Sequence, residues 1–178
     1  MPGAPPPERP RPVIYAGGES EAAKTLIAKH CDAYVMHGDE PEHIAAKIAD
    51  MRERRESFGL PPMQYGMAGY AIVRDTEAEA ERELERITTI PGLAEGTPPA
   101  GFANFDQWLS GTELERELKI REYSVSNRGL RPGFAGTPES IRARMEEFRA
   151  AGLDLVLLQM SPQEEEMERF SAQVMRSN

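Results

Sequence analysis

The chain has 178 residues, of which 39% are hydrophobic and 29% are charged, a composition typical of one globular domain with a hydrophobic core. Its 21 Lys and Arg against 30 Asp and Glu give a net charge of −9, which disfavours binding to nucleic acid or to an anionic membrane. No apolar stretch approaches the roughly 20 residues of a membrane helix. Met1–Pro12 lacks the apolar segment of a secretory signal, and the single cysteine, Cys31, excludes a disulfide within the chain. We therefore expect a cytoplasmic protein.

In chain order, a proline-rich tail over residues 1–11 precedes one domain over residues 12–178. Within the domain, short apolar runs alternate with amphipathic segments, which predicts strands joined by helices. The predicted strands are 13–15, 33–36, 65–73 and 153–159, and the predicted helices are 21–30, 39–58, 76–87, 137–151 and a last one from 161. Three of the four strands are almost wholly apolar, which is typical of a parallel sheet covered on both faces.

The helix boundaries carry recognisable start signals. Asp39, Thr76 and Ser161 are each followed three residues later by a glutamate, which predicts three capping boxes. Thr137-Pro138 predicts another helix start, and Gly152 predicts its end. Between the third helix and Thr137 lies an insertion over residues 91–136. It begins with a Gly- and Pro-rich loop, contains two short helical patterns and ends in a long irregular stretch from residue 123.

A glycine-rich loop follows the first strand directly and leads into a helix. In parallel α/β folds, ligands bind beyond the carboxyl ends of the strands. Gly17, Gly18, Glu19 and Ser20 can therefore form a phosphate cradle of backbone N–H groups at the helix N-terminus. The simpler explanation of the same pattern is a tight turn in which Ser20 is the N-cap.

Two further regions lie near predicted strand ends. Loop 123–133 contains Asn127, Arg128 and Arg131, whose donors suit phosphate, sulfonate or sulfone oxygens. Alternatively, its arginines pair with carboxylates of this acidic chain. Tyr70, in the third strand, either enters a cavity or is a core aromatic. The three histidines show no metal-ligand spacing, so we expect no metal, although His37 follows the second strand at its ligand-binding end.

Several of these segments resemble the luciferase-like flavin monooxygenases. Arg11–Ser20 and Asp32–Tyr34 resemble the family's fifth strand and the helix after it. Ile72–Thr76 resembles the seventh strand of the alkanesulfonate and dimethyl-sulfone branch, while Tyr123–Gly133 and Gln159–Gln163 are similar to the dimethyl-sulfone enzymes. The resemblance runs from about residue 8 to the end. It implies an α/β fold that is half of a (β/α)8 TIM barrel, namely strands five to eight, with a helical and loop insertion before the last strand–helix unit.

The resemblance also implies a function. It implies FMN as cofactor, reduced by a separate NAD(P)H-dependent flavin reductase, with O2 and a small organosulfur compound as substrates. Dimethyl sulfone would be oxidised to methanesulfinate and formaldehyde. The flavin phosphate falls on the loop Gly17, Gly18, Glu19 and Ser20. The catalytic group comprises Arg128, which matches the family's mobile-loop arginine, Ser161, which stands at the position of a tyrosine after strand eight, and Tyr70, Asn127 and Arg131.

Two departures from the family leave alternatives open. Ala68 and Tyr70 stand where alkanesulfonate monooxygenases carry an arginine and a histidine, which argues against that activity, though it remains an alternative. A whole barrel needs eight strand–helix units and about 250 residues, whereas this chain has four. It is either part of an enzyme, forming a homo-oligomer or pairing with an N-terminal half, or a non-catalytic half-barrel that serves as an assembly partner or weak phosphate binder.

Overall fold

The computed structural model describes residues 11–88 and 129–176. Its strands are β1 (Tyr15–Ala16), β2 (Ala33–Met36), β3 (Gln64–Tyr70), β4 (Ile72–Val73), β5 (Ala135–Gly136) and β6 (Leu155–Gln159). Its helices are α1 (Glu21–His30), α2 (Pro41–Ser57), α3 (Glu77–Thr88), α4 (Pro138–Ala150) and α5 (Gln163–Phe170), and α5 continues into a π-helical turn at Ser171–Met175.

The main sheet has the order β1-β2-β3-β6, and all its neighbouring strands are parallel. Tyr34 pairs with Tyr65 across β2 and β3, and Gly66 pairs with Leu155 across β3 and β6. Strands that follow chain order in one parallel sheet, with a helix after each strand, form the arc of a (β/α) barrel rather than a doubly wound sheet. The predicted α/β class with a parallel sheet is therefore confirmed.

The third predicted strand, 65–73, is divided in the structure. β3 ends at Tyr70, and β4 leaves the main sheet to pair in parallel with β5, where Ile72 lies opposite Ala135. The prediction of one continuous strand was wrong, as was that of an irregular chain through residue 136. Ala135–Gly136 carries no apolar alternation, so only its partner, β4, makes it a strand.

The hydrophobic core lies between the sheet and its helices. Side chains on one face of the sheet, Tyr34, Met36, Tyr65 and Met67, are between 0% and 4% exposed. They belong to one cluster with residues of α1, α2 and α4, including Ile27, Ile44, Ile48, Met51, Ile141 and Phe148. Full burial of each large apolar side chain contributes about 1.5–3 kcal/mol. This face therefore provides most of the stability of the fold.

The other face of the sheet is much less covered. The strand register places Tyr15 and Leu157 on that face, together with Val35 and Ala68. Tyr15 is 50% exposed and Leu157 is 49% exposed. Within the described residues, β1 and β6 each have a neighbouring strand on one side only. Among the described residues, the sheet thus has a partly exposed inner face and two open edges.

Two of the predicted helix starts are confirmed. Thr76 and Glu79 form a reciprocal capping box, in which the N–H of Glu79 donates to Thr76 Oγ1 and the N–H of Thr76 donates to Glu79 Oε2, both at 3.2 Å. Thr137 accepts from the N–H of Ser140 at 3.3 Å and starts α4. Gly152, with φ of +97°, follows α4 in the left-handed conformation that ends helices, as predicted.

Two predicted capping boxes were wrong. The N-cap of α2 is Glu40, because Pro41 takes the first helical position and leaves Asp39 one residue too early. The N-cap of α5 is Pro162, which has no side chain able to cap, so the hydroxyl of Ser161 stands outside the helix. None of the helices in the ranges 11–88 and 129–176 is long and apolar enough to cross a membrane.

Candidate functional site

Three segments meet at the carboxyl edge of the main sheet. The loop Gly17–Ser20 follows β1, the loop His37–Glu40 follows β2, and segment 129–133 joins the end of β3 through a hydrogen bond from the N–H of Tyr70 to the carbonyl of Gly129, at 2.7 Å. This edge is where parallel α/β folds bind their ligands. We therefore take these three segments as the framework of the candidate site.

The loop Gly17–Ser20 requires both of its glycines. A Cβ on Gly17 would lie 2.7 Å from the carbonyl oxygen of Val35, and one on Gly18 would lie 2.8 Å from Cβ of Ala23. The hydroxyl of Tyr34 donates to the carbonyl of Gly18 at 3.2 Å. The loop is therefore held tightly against β2 and the first turn of α1, and larger side chains at either glycine would push it away.

Ser20 is the N-cap of α1. Its Oγ accepts the N–H of Ala23 at 3.2 Å, which confirms the capping explanation for its side chain. The N–H groups of Glu21 and Ala22 also stand in the first turn, where a helix supplies no acceptor of its own. They point out of the positive end of the helix dipole, so the loop fits a phosphate group as well as a turn. The cofactor-binding role of Gly17, Gly18, Glu19 and Ser20 stays a prediction.

Lys47, on α2, removes an obstacle to anion binding in this loop. The carboxylate of Glu19 would repel a phosphate held by its own backbone, but Nζ of Lys47 lies 3.0 Å from Glu19 Oε1. The same ammonium lies 3.2 Å from Asp39 Oδ2. Lys47 therefore compensates one carboxylate from each of the first two loops.

Asp39 is a buried carboxylate at the centre of the edge, with only 4% of the residue exposed. Its Oδ1 accepts the N–H of Glu40 at 2.9 Å and lies 3.0 Å from Nδ1 of His43. Nε of Arg131 lies 3.6 Å from the same oxygen. Burial alone would raise the pKa of Asp39, but the hydrogen bonds from His43 and Glu40 and the charges of Lys47 and Arg131 hold that pKa below its ordinary value.

Segment 129–133 is docked on the loop after β2. A Cβ on Gly38 would lie 2.6 Å from the carbonyl oxygen of Ala68 and 2.7 Å from Cδ of Pro132, so the proline ring approaches as closely as only glycine permits. Arg144, on α4, donates through Nε to the carbonyl of Pro132 at 2.8 Å and forms an ion pair with Glu40. Segment 129–133 therefore covers the ends of β2 and β3.

The structure brings two predicted catalytic residues together. Tyr70 is 4% exposed, and the side chain of Ser161, beyond the end of β6, lies close enough to its hydroxyl to oppose part of the rise in the pKa of Tyr70. Burial raises the pKa of Tyr70 above its ordinary value, so the phenol keeps its proton at neutral pH. Tyr70 is thus a buried core aromatic at the carboxyl end of β3, the second of the two alternatives considered for it.

Arg131 lies in segment 129–133 and faces Asp39, so one of the loop arginines does pair with a carboxylate of the chain. The other two loop candidates, Asn127 and Arg128, lie outside the described residues. His37 is exposed just beyond β2. Among residues 11–88 and 129–176, no three His, Cys, Asp or Glu side chains are grouped as metal ligands.

Sequence reasoning missed four charged residues at this edge: Lys47, Arg74, Glu83 and Glu166. Nη1 of Arg74 donates to Glu166 Oε2 at 2.8 Å, and Nη2 lies 3.4 Å from Glu83 Oε1. Glu166 is 5% exposed although it lies in a run of acidic residues. Such a run predicts a solvated helix face, and only the position of Arg74 after β4 could have indicated an internal partner.

A separate shallow depression lies on the exposed side of α1. It is lined by Glu21, Ala22, Thr25, Leu26, Lys29 and His30. Because it belongs to the outward face of one helix rather than to the strand ends, we leave it out of the candidate site.

Comparison with known families settles the relationship of the chain. Residues 2–155 match the luciferase-like monooxygenase family. The chain belongs to this family. Among solved structures, this luciferase-like chain is similar to the long-chain alkane monooxygenase LadA, with 21% identity and a TM-score of 0.67 over 92% of this chain and 40% of LadA.

Two other solved structures resemble this luciferase-like chain. Riboflavin lyase (RcaE), solved with modified FMN and riboflavin, shares 20% identity and a TM-score of 0.69 over 92% of this chain and 42% of the lyase. DmoA from Hyphomicrobium sulfonivorans shares 16% identity and a TM-score of 0.64 over 89% of this chain and 39% of DmoA. At these identities the likeness establishes the fold alone. The chain spans about two fifths of the length of each.

Proposed function

We propose that this chain supplies strands five to eight of a luciferase-like, FMN-dependent monooxygenase barrel and holds the phosphate of the flavin. The observation that carries the proposal is the loop Gly17–Ser20. This loop presents the N-terminus of α1 at the carboxyl end of β1, on the same sheet edge as the segment 129–133 that covers the ends of β2 and β3. A phosphate bound there would leave the rest of a flavin free to extend along the same edge.

The backbone N–H groups of Gly18, Glu19 and Ser20 would hold the phosphate, supported by the dipole of α1. The ion pair of Glu19 with Lys47 keeps the glutamate carboxylate away from the bound anion. Tyr70 ends β3, two strand spacings or roughly 10 Å from β1, and Ser161 follows β6; both would face a small substrate that lies beside the flavin ring. Tyr70 would act there as a neutral hydrogen-bond donor, because its pKa is raised.

The loop donors complete this assignment. We propose that Arg128 and Asn127 close over the substrate and stabilise negative charge that develops on its oxygens, while Arg131 anchors the end of the same loop to Asp39. Sulfone oxygens are weak acceptors without net charge, and fixed cationic donors in a site that excludes water suit them. In this proposal, the residues before 129 contact the substrate, and the residues from 129 onwards attach the loop to the sheet edge.

The proposed substrate is dimethyl sulfone, on the strength of the motifs at 123–133 and 159–163. Reduced FMN, delivered by a separate NAD(P)H-dependent reductase, supplies the two electrons that reduce one oxygen atom of O2 to water. Dimethyl sulfone, O2 and reduced FMN would yield methanesulfinate, formaldehyde, water and oxidised FMN. The reaction breaks one carbon–sulfur bond of dimethyl sulfone. The contribution of the protein is to bind, to orient and to exclude water.

The open edges support a role in assembly. β1 and β6 would pair with strands of another polypeptide, either a second copy or a complementary N-terminal half, and the exposed Tyr15 and Leu157 would be buried by closure. The same edges favour the second candidate function, a non-catalytic half-barrel that takes part in assembly and binds phosphate weakly.

A turnover assay separates the two candidates. The full chain is mixed with a flavin reductase, FMN, NADH and dimethyl sulfone in air, and formaldehyde is measured against a reaction without the chain. The enzyme function is supported if the chain produces more formaldehyde than the control and if the variant Tyr70→Phe produces less than the unmodified chain. No formaldehyde from a chain that binds FMN supports the non-catalytic half-barrel.

A further inference from the structure

We propose that Asp39 is a positioning residue that couples the loop Gly17–Ser20 to segment 129–133. This inference rests on the proposed function in one respect, because it treats the first segment as the phosphate loop and the second as the end of the substrate loop. The coupling itself is a property of the ligand-free chain. Asp39 thereby links occupancy of the phosphate site to the docking of segment 129–133.

Asp39 reaches the two segments through different oxygens. Oδ2 contacts Nζ of Lys47 at 3.2 Å, and Lys47 continues to Glu19 in the first loop at 3.0 Å. Oδ1 faces Nε of Arg131 in segment 129–133 at 3.6 Å. One carboxylate therefore stands between a cation that serves the first segment and a cation that belongs to the second.

The side chain of Asp39 and the backbone before it are held in place, which makes Asp39 a suitable pivot. The N–H of Glu40 donates to Oδ1 at 2.9 Å, and Nδ1 of His43 lies 3.0 Å from the same atom. The preceding residue, Gly38, is wedged between Ala68 and Pro132. Because Asp39 cannot follow either partner, the two cations compete for a carboxylate of fixed position.

Burial gives this competition an energetic consequence. The side chain of Asp39 is 6% exposed, that of Arg131 is 15% exposed and that of Lys47 is 25% exposed. In so little water, an ion that loses its partner is not readily compensated by solvent. A phosphate at the first loop would draw Lys47 towards itself and away from Asp39, which strengthens the attraction of Asp39 for Arg131. By linkage, a docked Arg131 favours the bound phosphate to the same extent.

Hydrogen–deuterium exchange on the full, ligand-free chain tests the coupling. Lys47→Met removes a side chain whose ion pairs are with Glu19 and Asp39. Asp39 then attracts Arg131 more strongly, so we expect the amides of segment 129–133 to exchange about two- to fivefold more slowly, the range of a partly exposed ion pair. Lys24→Met is the matched control, because Lys24 is 20% exposed and pairs with Asp50 between α1 and α2 without touching Asp39. It should leave segment 129–133 unchanged.

Asp39→Asn supplies the decisive background. In that variant, Lys47→Met should have no further effect on segment 129–133, because the connecting charge is gone. An equal effect of Lys47→Met with and without Asp39, or no effect in either, overturns the proposal. If Asp39→Asn does not fold, Arg131→Met tests the link from the other end, and a rate change at residues 17–20 is expected there.

A second readout separates this inference from the proposed function. Added FMN, or inorganic phosphate as the probe for its charged end, should slow exchange in segment 129–133 of the unmodified chain and should not do so in Asp39→Asn. If neither ligand protects residues 17–20, the proposed function fails, while the ligand-free coupling stands or falls on the lysine variants alone. If residues 17–20 are protected and segment 129–133 is not, the coupling is wrong and the phosphate site remains.

Discussion

The hydroxyl of Tyr34 donates to the carbonyl of Gly18 at 3.2 Å, so a residue of the hydrophobic core holds the loop that we assign to the flavin phosphate. Tyr34 is 1% exposed and lies in β2, which places this bond at the boundary between the core and the candidate site. The core and the candidate site are therefore connected through the hydroxyl of Tyr34, which the substitution Tyr34→Phe removes.

Tyr34→Phe should loosen the phosphate loop without dismantling the sheet. A typical internal hydrogen bond contributes about 0.5–1.5 kcal/mol, so a modest fall in stability and a several-fold loss of FMN affinity are expected. Isothermal titration with FMN and thermal unfolding measure the two effects. Tyr65→Phe, in the next strand and on the same face, is the control and should leave FMN affinity unchanged. Equal FMN affinity in Tyr34→Phe and Tyr65→Phe would show that the bond from Tyr34 to Gly18 does not support FMN binding.

Gly38→Ala should be poorly tolerated, because the new Cβ would lie 2.6 Å from the carbonyl oxygen of Ala68 and 2.7 Å from the ring of Pro132. Overfilling a well-packed position typically costs about 1–3 kcal/mol. Gly66→Ala is the matched control in β3, since its Cβ meets atoms of Leu155 and Val35 at an ordinary 3.5 Å. Chemical denaturation of both variants measures the difference. Equal stabilities would show that Pro132 is not docked on Gly38.

The elements of this fold were largely predictable from the sequence, because apolar runs and amphipathic segments alternate clearly. The helix starting at Thr76 and its capping box were read correctly from local residues alone. What failed depended on partners distant in sequence: Ala135–Gly136 becomes a strand only because β4 lies beside it. A local pattern cannot contain that information.

The candidate site was predictable in its place but not in its electrostatics. The loop Gly17–Ser20 follows from the strand-to-helix order, whereas the catalytic roles of Tyr70 and Ser161 stay predictions. The role of Asp39 was missed, because D-x-x-E before a helix predicts a cap. Pro41 shifted the start of the helix, and burial then left Asp39 to attract Lys47 and Arg131.

The stability that Asp39 contributes should depend on pH in the acid range. Its pKa is depressed in the folded chain, so its contribution is present above the ordinary carboxyl range, near pH 4, and is lost as pH falls through the folded pKa. We expect the difference in unfolding free energy between the unmodified chain and Asp39→Asn to be largest near neutral pH and to shrink below about pH 4. Urea unfolding at several pH values measures it. A difference that grows on acidification would contradict the assigned pairing.

The chain should not behave as a soluble monomer. β1 and β6 are open edges among the described strands, and half of Tyr15 and of Leu157 is exposed on the inner face. A two-fold pair of half-barrels would join β6 of each copy to β1 of the other in parallel and bury both inner faces. Size-exclusion chromatography with light scattering at micromolar concentration should show a dimer, a larger assembly or aggregation. A monomer with a cooperative thermal transition would mean that other residues cover the edges.

The most direct test of the account is a titration of the full chain with FMN and, in parallel, with riboflavin, which lacks the phosphate. The binding is followed by flavin fluorescence. Because the described residues supply only one side of the proposed flavin site, we predict FMN binding of micromolar affinity or weaker. This binding should be clearly tighter than that of riboflavin, and the difference should be abolished in Gly18→Val, where the loop cannot close on α1. Equal binding of the two flavins, or FMN binding that survives Gly18→Val, would contradict the assignment of Gly17–Ser20 as the phosphate loop.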